Sequence, residues 1–189
     1  MSPALHLAAR LAILGLGVVL LQITAVSQFP VAGGVADLAP LVVMAVGLMA
    51  GALTGACFGF GVGLLLDVAL LQTLGVSSLI LLGVGYGCGR LREARDPGSA
   101  LVPLAAGALA TLVAAIGYAL VEFMLDVAAP VGIVLVRQLL ATLVLNALLA
   151  LPVYAAARRW MLPALPEDPR RRRRRAATTG VLSPISRTP

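Results

Sequence analysis

Five residues that could do chemistry interrupt the long apolar stretches of this sequence, and they are widely spaced. They comprise two carboxylates, one guanidinium and two carboxamides: Asp67, Glu122, Arg137, Gln138 and Asn146. Asp37 joins them at the start of another apolar stretch. An ionisable group among apolar residues usually faces a partner or a water-filled cavity. These residues could therefore line a small solute pocket, or the carboxylates among them could neutralise the arginine.

No pattern typical of catalysis or metal binding accompanies these residues. His6 is the only histidine, and the hydroxyl pair Ser77-Ser78 falls at the opposite end of the predicted helices, so nucleophile and base cannot meet. Cys57 and Cys88 stand alone in apolar stretches, without metal-ligand or disulfide spacing. We therefore expect no enzyme activity, no cofactor and no metal.

The elements that carry these residues are predicted to be transmembrane helices. Hydrophobic residues make up 60% of the chain, against about 45–50% for an ordinary soluble domain. Between Val31 and Gly89 only Asp37 and Asp67 are charged. Three short helices fit this segment, because two would leave a long apolar loop with unsatisfied backbone groups in lipid.

The sequence thus predicts an all-α integral membrane protein with six transmembrane helices in a compact bundle. One domain, residues 1–160, is expected to hold spans at 7–26, 38–53, 55–71, 76–90, 100–121 and 131–157, with turns near 53–56 and 72–75. Residues 161–189 are rich in Arg and Pro and cannot bury a core, so we expect a disordered tail.

The arginines test this count independently, because arginine flanks the cytoplasmic ends of spans. With six spans, Arg10, the cluster that begins at Arg90, and the Arg158-Arg159 pair all fall on one side. Five spans would place either the Arg90 cluster or the tail on the other side. We therefore predict a multi-pass protein with both termini in the cytoplasm.

Glycines recur at every fourth position from Gly47 to Gly63 and lead to Asp67. Residues four apart share a helix face, so the third helix is expected to carry a smooth stripe through Gly55, Gly59 and Gly63. Small residues let helix backbones approach closely in lipid, where van der Waals contact drives association. This face is predicted to pack against protein, and close packing alone is a sufficient explanation of the glycines.

Asp67 needs a further explanation, because a carboxylate within a span costs about 2.5–3.5 kcal/mol on insertion scales. One hypothesis is that Asp67, together with Glu122, neutralises Arg137, which is predicted to lie in the same outer half of the membrane. The alternative is that Arg137 extends to the outer surface while backbone groups cap Asp67. The sequence leaves both open.

The residues around the stripe form a specific string. It consists of Gly55, Gly59-Phe60, Gly63-Leu64, Asp67, Leu74-Gly75 and Tyr86, with Leu21-Gln22 and Asp37-Leu38 upstream. This string resembles the family of rod shape-determining proteins MreD, over about residues 10–155. That family commonly has Pro before the first Asp, whereas this chain has Ala36, with Pro40 following, so the second helix is expected to start differently. Our candidates for structural and partner packing are Gly55, Gly59, Phe60, Gly63, Asp67 and Gly75.

The resemblance implies a non-enzymatic subunit of the bacterial cell-elongation (rod) machinery in the inner membrane. Members associate with the bitopic protein MreC, and through it with MreB, RodA and a penicillin-binding transpeptidase. The implied role is to help control cell shape and side-wall peptidoglycan synthesis. The family's bundle is also thought to look like the substrate-binding subunits of energy-coupling-factor transporters, so a membrane subunit that binds a vitamin or small solute is the alternative.

The tail carries six consecutive arginines: Arg170, Arg171, Arg172, Arg173, Arg174 and Arg175. Near an anionic leaflet each basic residue contributes about 1 kcal/mol of attraction. We expect this run to contact anionic lipids at the cytoplasmic face and not nucleic acid, because lipid is the nearer polyanion.

The six-span topology predicts the outcome of reporter fusions. Fusions placed after Glu93 and after Asp168 should both report a cytoplasmic location, because an even number of spans separates the two sites. Paired enzymatic reporters, one active only in the cytoplasm and one only outside it, measure this. Opposite locations for the two sites would contradict the count.

Overall fold

Six α-helices form the regular structure of the part of the chain that is described. A computed structural model describes residues 3–24, 36–94, 101–124 and 133–163. The helices are α1 (Pro3–Thr24), α2 (Leu38–Ala50), α3 (Ala52–Ala69), α4 (Val76–Ala94), α5 (Leu101–Met124) and α6 (Ile133–Met161). Within these ranges the prediction of an all-α protein with six helices is confirmed. The tail was predicted at residues 161–189; Met161 instead ends α6, and residues 164–189 lie outside the described residues.

The junction between α2 and α3 differs from the predicted one. The turn was expected at residues 53–56, but α2 ends at Ala50 and α3 begins at Ala52, with only Gly51 between them. Gly51 has a φ of +97°, a conformation that costs glycine nothing and other residues much more. Gly51 alone therefore reverses the direction of the chain. It forms the turn and is not part of the glycine stripe on α3.

The first two helices and the last one alternate in direction. Near the start of α1, Arg10 Nη1 donates to the carbonyl of Trp160, at the end of α6, over 2.7 Å. Near the end of α1, Gln22 Oε1 accepts from the amide of Leu38, the first residue of α2, over 2.9 Å. Consequently α1 is antiparallel to both α2 and α6.

The alternation continues through the middle of the chain. A Cβ placed on Gly63, late in α3, would meet Ser78, which is early in α4. A Cβ placed on Gly117, late in α5, would also meet an early residue of α4, Ile80. Helix α4 therefore runs opposite to both α3 and α5.

One end of the bundle collects arginines, and we call it the arginine end. The side chains that define it come from the start of α1 and from the ends of α4 and α6: Arg10, Arg90, Arg92, Arg158 and Arg159. Both ends of the helical region, α1 at its start and α6 at its end, therefore lie on the same side.

Helix α2 occupies the centre of the bundle. Every residue from Leu38 to Met49 is buried, and α2 contacts each of the other five helices. A helix that is apolar all round is stable only when it is covered all round, which explains why α2 shows no polar face. Side chains from α1, α3, α4, α5 and α6 complete the core around it.

The closest contact in the bundle is between the backbones of α3 and α4. A Cβ on Gly59 would lie 2.2 Å from the carbonyl oxygen of Leu81, and a Cβ on Gly85 would lie 2.1 Å from that of Gly55. A Cβ on Gly89 would lie 2.3 Å from Ala52 Cα. We call this contact the glycine seam; it comprises Gly55, Gly59, Gly63, Gly85 and Gly89.

Other glycines of the same helices face open space. A Cβ at Gly61, Gly83 or Gly87 would meet nothing within 4 Å. Because these residues alternate in sequence with the seam residues, α3 and α4 each have one tightly packed glycine face and one open face.

Four of the described helices, α1, α3, α5 and α6, contain stretches long and apolar enough to cross a membrane. Helix α2 is apolar but only 13 residues long. Large apolar side chains are exposed on the outside of the bundle, including Leu20, Ile116 and Leu148. An apolar exterior over several such helices indicates a multi-pass membrane protein.

The seam predicts opposite outcomes for two neighbouring substitutions. Gly85→Ala should destabilise the protein by about 1–3 kcal/mol, because the added methyl group meets backbone atoms that cannot move without parting the helices. Gly87→Ala should be neutral or stabilising, because its methyl group enters open space and alanine has the better helix propensity. Thermal unfolding of both variants in detergent measures the difference in stability. Equal unfolding midpoints would contradict the close packing of α3 and α4 at the seam.

Candidate functional site

Asp67 links the end of α3 to the start of α4. It is fully buried, and its Oδ2 accepts a hydrogen bond from the amide of Gly75 at 2.7 Å. Its Oδ1 accepts from the amide of Ser77 at 3.2 Å. The backbone carbonyl of Asp67 also accepts, from the amide of Gln72 at 3.0 Å. One residue thus closes the whole α3–α4 turn.

The reason for a carboxylate here lies in the start of α4. The first amides of a helix have no partner within the helix, and the helix dipole makes that end electropositive. Helix α4 begins at Val76, so the two amides bound by Asp67 flank its first residue. Gly75 adopts a φ of +98°, which aims its amide into the turn. Asp67 therefore acts as a cap supplied from the preceding helix.

The glycine seam places Asp67 at this position. Gly63 lies one helical turn before Asp67, and a Cβ on it would lie 2.4 Å from Ser78 Cα. At such a short distance between helices, the short aspartate side chain reaches the neighbouring backbone directly. Asp67 and the seam form one structural unit.

A second polar cluster holds the start of α2, and it uses two carboxamides. Gln22 of α1 accepts from the amide of Leu38 and donates from Nε2 to the carbonyl of Ala36 at 3.2 Å. Asn146 of α6 accepts from the amide of Asp37 at 2.9 Å and donates to the carbonyl of the same residue at 3.1 Å. Both side chains thus bind the backbone of residues 36–38, and we call the arrangement the amide clamp.

Two further hydrogen bonds complete the amide clamp. Asn146 Nδ2 also donates to Thr111 Oγ1 of α5 at 3.1 Å, and Thr111 donates to the carbonyl of Gly107 at 2.9 Å. Asp37 Oδ1 caps its own helix by accepting from the amide of Ala39 at 3.2 Å. Three helices, α1, α5 and α6, therefore fix where α2 begins.

The structure favours one of the two hypotheses for Asp67. Its two carboxylate oxygens bind backbone amides, while Arg137 lies on an exposed position of α6. The proposed neutralisation of Arg137 by Asp67 is therefore not formed in the described part of the chain, and capping by backbone is observed. Glu122 lies near the end of α5, and its side chain lies outside the described residues.

The remaining sequence-predicted residues separate into groups. Gly55, Gly59, Gly63, Asp67 and Gly75 come together along the seam and its turn, whereas Asp37 and Asn146 meet in the amide clamp. Phe60 is 48% exposed and points away from the seam. Gln138 is exposed beside Arg137 on α6. The arginines from Arg170 to Arg175 lie outside the described residues.

Sequence reasoning missed several residues that the structure places in these clusters. On the α4 side of the seam they are Gly85 and Gly89, which are four residues apart, as the α3 glycines are. Glycines at 83 and 87 show the same spacing, so spacing alone could not select the correct pair. Gln22 entered the sequence analysis only as part of the family-like string, without a structural role, and Thr111 carried no signal beyond its polarity in an apolar stretch.

Both polar clusters act on the backbone. Asp67, Gln22 and Asn146 direct their side-chain atoms to main-chain groups of neighbouring helices, which satisfies amides and carbonyls that lipid cannot. The arrangement sets the geometry of the helices. In the described residues no group of three His, Cys, Asp or Glu side chains could hold a metal ion.

Comparison with known families decides which family the chain belongs to. The family model described as rod shape-determining protein MreD matches residues 7–160. The chain belongs to the MreD family. The match begins in α1, ends at the last turn of α6, and includes both the seam and the amide clamp.

Membership of the MreD family makes this chain a rod shape-determining membrane protein. No individual curated protein and no solved structure matches it. The expected likeness to the substrate-binding subunits of energy-coupling-factor transporters is therefore not supported. The alternating directions of the six described helices are established by contacts within the chain itself.

The cap on α4 predicts the effect of Asp67→Asn. The asparagine amide keeps one acceptor oxygen but places an N–H group against the amide of Gly75 or Ser77, so the variant should lose about 1–3 kcal/mol of stability. The control is Gln72→Ala, because the Gln72 side chain is exposed in the same turn. This variant should unfold at the same midpoint as the unmodified protein. Unfolding midpoints in detergent compare the two, and an unchanged midpoint for Asp67→Asn would contradict the capping role.

Proposed function

We propose that this MreD-family chain is a non-enzymatic subunit of the bacterial rod complex in the inner membrane. It binds an MreC-like protein, and through it connects to MreB, RodA and a penicillin-binding transpeptidase. In this role it helps to position side-wall peptidoglycan synthesis and so controls cell shape. The observation that carries the proposal is the family match over residues 7–160, which includes all six helices.

The geometry of the bundle supports a scaffolding role. The hydrogen-bonding groups of Asp67, Gln22 and Asn146 are bound within the protein, at the seam turn and at the amide clamp. A scaffold needs fixed helix positions, and close backbone contact together with polar clamps provides them. The apolar outer faces of α1, α5 and α6 remain available to a partner helix.

The proposed orientation places the arginine end in the cytoplasm. All six helices cross the membrane in this arrangement, so both termini are cytoplasmic. The positive-inside rule supports it, because Arg10, Arg90, Arg92, Arg158 and Arg159 share one end. The tail then starts at the cytoplasmic face, where Arg170 to Arg175 can bind anionic lipids.

Depletion of this chain from a rod-shaped host, followed by affinity purification of a tagged copy from native membranes, tests the proposal. Depleted cells should become round, and the tagged copy should restore rods and co-purify an MreC-like protein with a cell-wall polymerase. The Gly87→Ala variant, altered on the open face, serves as the matched control for Gly85→Ala, which should restore rods poorly.

Two outcomes would contradict the proposed function. One is a well-folded tagged protein that purifies without any cell-elongation protein, from cells that keep their shape on depletion. The other is tight, stoichiometric binding of a vitamin or other small solute to the purified protein, since a scaffold has no such site.

A further inference from the structure

We propose that the groove between α1 and α6, at the arginine end, binds an anionic phospholipid, with its phosphate beside Arg10 and Arg159 and an acyl chain along Gly17. Three observations support this site. They are a contact that joins the two helices at the arginine end, an open space beside α1 farther along, and an arginine charge that no described carboxylate neutralises. The inference is independent of the partners proposed above.

Arg10 and Trp160 bind each other where α1 begins and α6 ends, and we call this contact the clasp. Arg10 Nη1 donates to the carbonyl of Trp160 at 2.7 Å, and Trp160 Nε1 donates to the carbonyl of Arg10 at 3.4 Å. The guanidinium also lies 5.9 Å from the centre of the indole ring. These contacts hold the Arg10 side chain in place. Because a guanidinium has five N–H groups, others remain to bind an anion.

Beyond the clasp, the side of α1 that carries Arg10 is open. Gly17 lies seven residues after Arg10, which is about two helical turns, so it faces nearly the same side of α1. A Cβ on Gly17 would meet no described atom within 4 Å. On α6, Ala156 and Pro152 precede Trp160 by about one and two turns and are exposed. The clasp therefore closes one end of a groove that is lined by small apolar residues and open to lipid.

The two neighbouring arginines of α6 differ in their position relative to this groove. Successive residues of an α-helix are about 100° apart, so Arg159 is about 100° from Trp160 and Arg158 is about 160° from it. Both side chains are exposed. Arg159 can therefore reach the groove, whereas Arg158 lies on the opposite flank of α6, away from α1.

The charge and the apolar surface of the groove together fit a phospholipid. The two carboxylates whose side chains are described, Asp37 and Asp67, bind backbone amides away from the arginine end, so neither neutralises Arg159. An acyl chain attached to the bound phosphate would cover Gly17 and the neighbouring Ile13, which is 58% exposed. Basic sites between transmembrane helices bind the headgroups of anionic lipids in this way.

The fluorescence of Trp160 tests the site, because Trp160 is the only tryptophan of the chain. In detergent micelles with a little added lipid, phosphatidylglycerol brominated near the headgroup end of its acyl chains should quench Trp160 more strongly than equally brominated phosphatidylethanolamine. Arg159→Gln should lower the relative affinity for the anionic lipid about fivefold, which corresponds to the attraction of about 1 kcal/mol that one basic residue contributes. Arg158→Gln is the matched control and should keep the affinity of the unmodified protein.

Three results of this experiment would overturn the proposal. One is equal quenching by the two lipids. Another is an equal loss of affinity in Arg159→Gln and Arg158→Gln, which would indicate a nonspecific attraction by charge, since both variants keep the same tail. The third is release of the brominated lipid by inorganic phosphate at constant ionic strength, which would indicate a site for a free anion.

Filling the groove tests where the acyl chain lies. Gly17→Leu places a side chain where the acyl chain is expected, so quenching of Trp160 by brominated phosphatidylglycerol should weaken. Gly61→Leu, on α3, is the control, because a Cβ on Gly61 also meets no described atom within 4 Å. It should be quenched like the unmodified protein. Unchanged quenching in Gly17→Leu would overturn the proposal.

Discussion

A polar backbone group buried in an apolar helix bundle has no water molecule to bind, and the fold of this chain depends on how that constraint is met at the start of α4. The free amides at that helix end face the end of α3, where Asp67 binds two of them. The carboxylate therefore replaces the water that would cap a helix at a surface. Its burial, unfavourable by itself, is offset by hydrogen bonds to an electropositive helix end.

The same constraint explains why the glycines are needed. Asp67 has a short side chain, so it reaches the amides of α4 only if the two backbones approach closely. Gly59 and Gly85 allow that approach, because a Cβ at either position would overlap the carbonyl of the neighbouring helix. The seam and the cap thus depend on one another. Helix α2 then packs against this pair, with Gln22 and Asn146 fixing its first residues.

Much of this organisation follows from the sequence, because it arises from local patterns. Charge spacing predicts the six helices, and the four-residue spacing of Gly55, Gly59 and Gly63 predicts a packed face. The partner of Asp67 could not be derived from the sequence, because an arginine and a free helix amide are both suitable hydrogen-bond donors to a carboxylate. Only the three-dimensional geometry of the turn decides between them. The turn at Gly51 was misplaced by a few residues, since a positive φ leaves no periodic signal.

The α4 half of the seam illustrates a second limit. Gly83, Gly85, Gly87 and Gly89 alternate, so the sequence offers two equally spaced pairs and the packing of α2 and α3 selects one. Gln22 and Thr111 were likewise invisible as a cluster, because they lie far apart in the chain and meet only through the start of α2. In this chain the residues that fix the helices are therefore dispersed over five of them: α1, α3, α4, α5 and α6.

Solid-state NMR of protein labelled with ¹³C-aspartate and ¹⁵N-glycine in lipid tests the central contact most directly. The account predicts a short-range dipolar coupling between an aspartate carboxyl carbon and a glycine nitrogen, which comes from Asp67 and Gly75. This coupling should vanish in Asp67→Asn and persist in Gln72→Ala. The account would be contradicted if the unmodified protein and Asp67→Asn gave the same aspartate–glycine couplings.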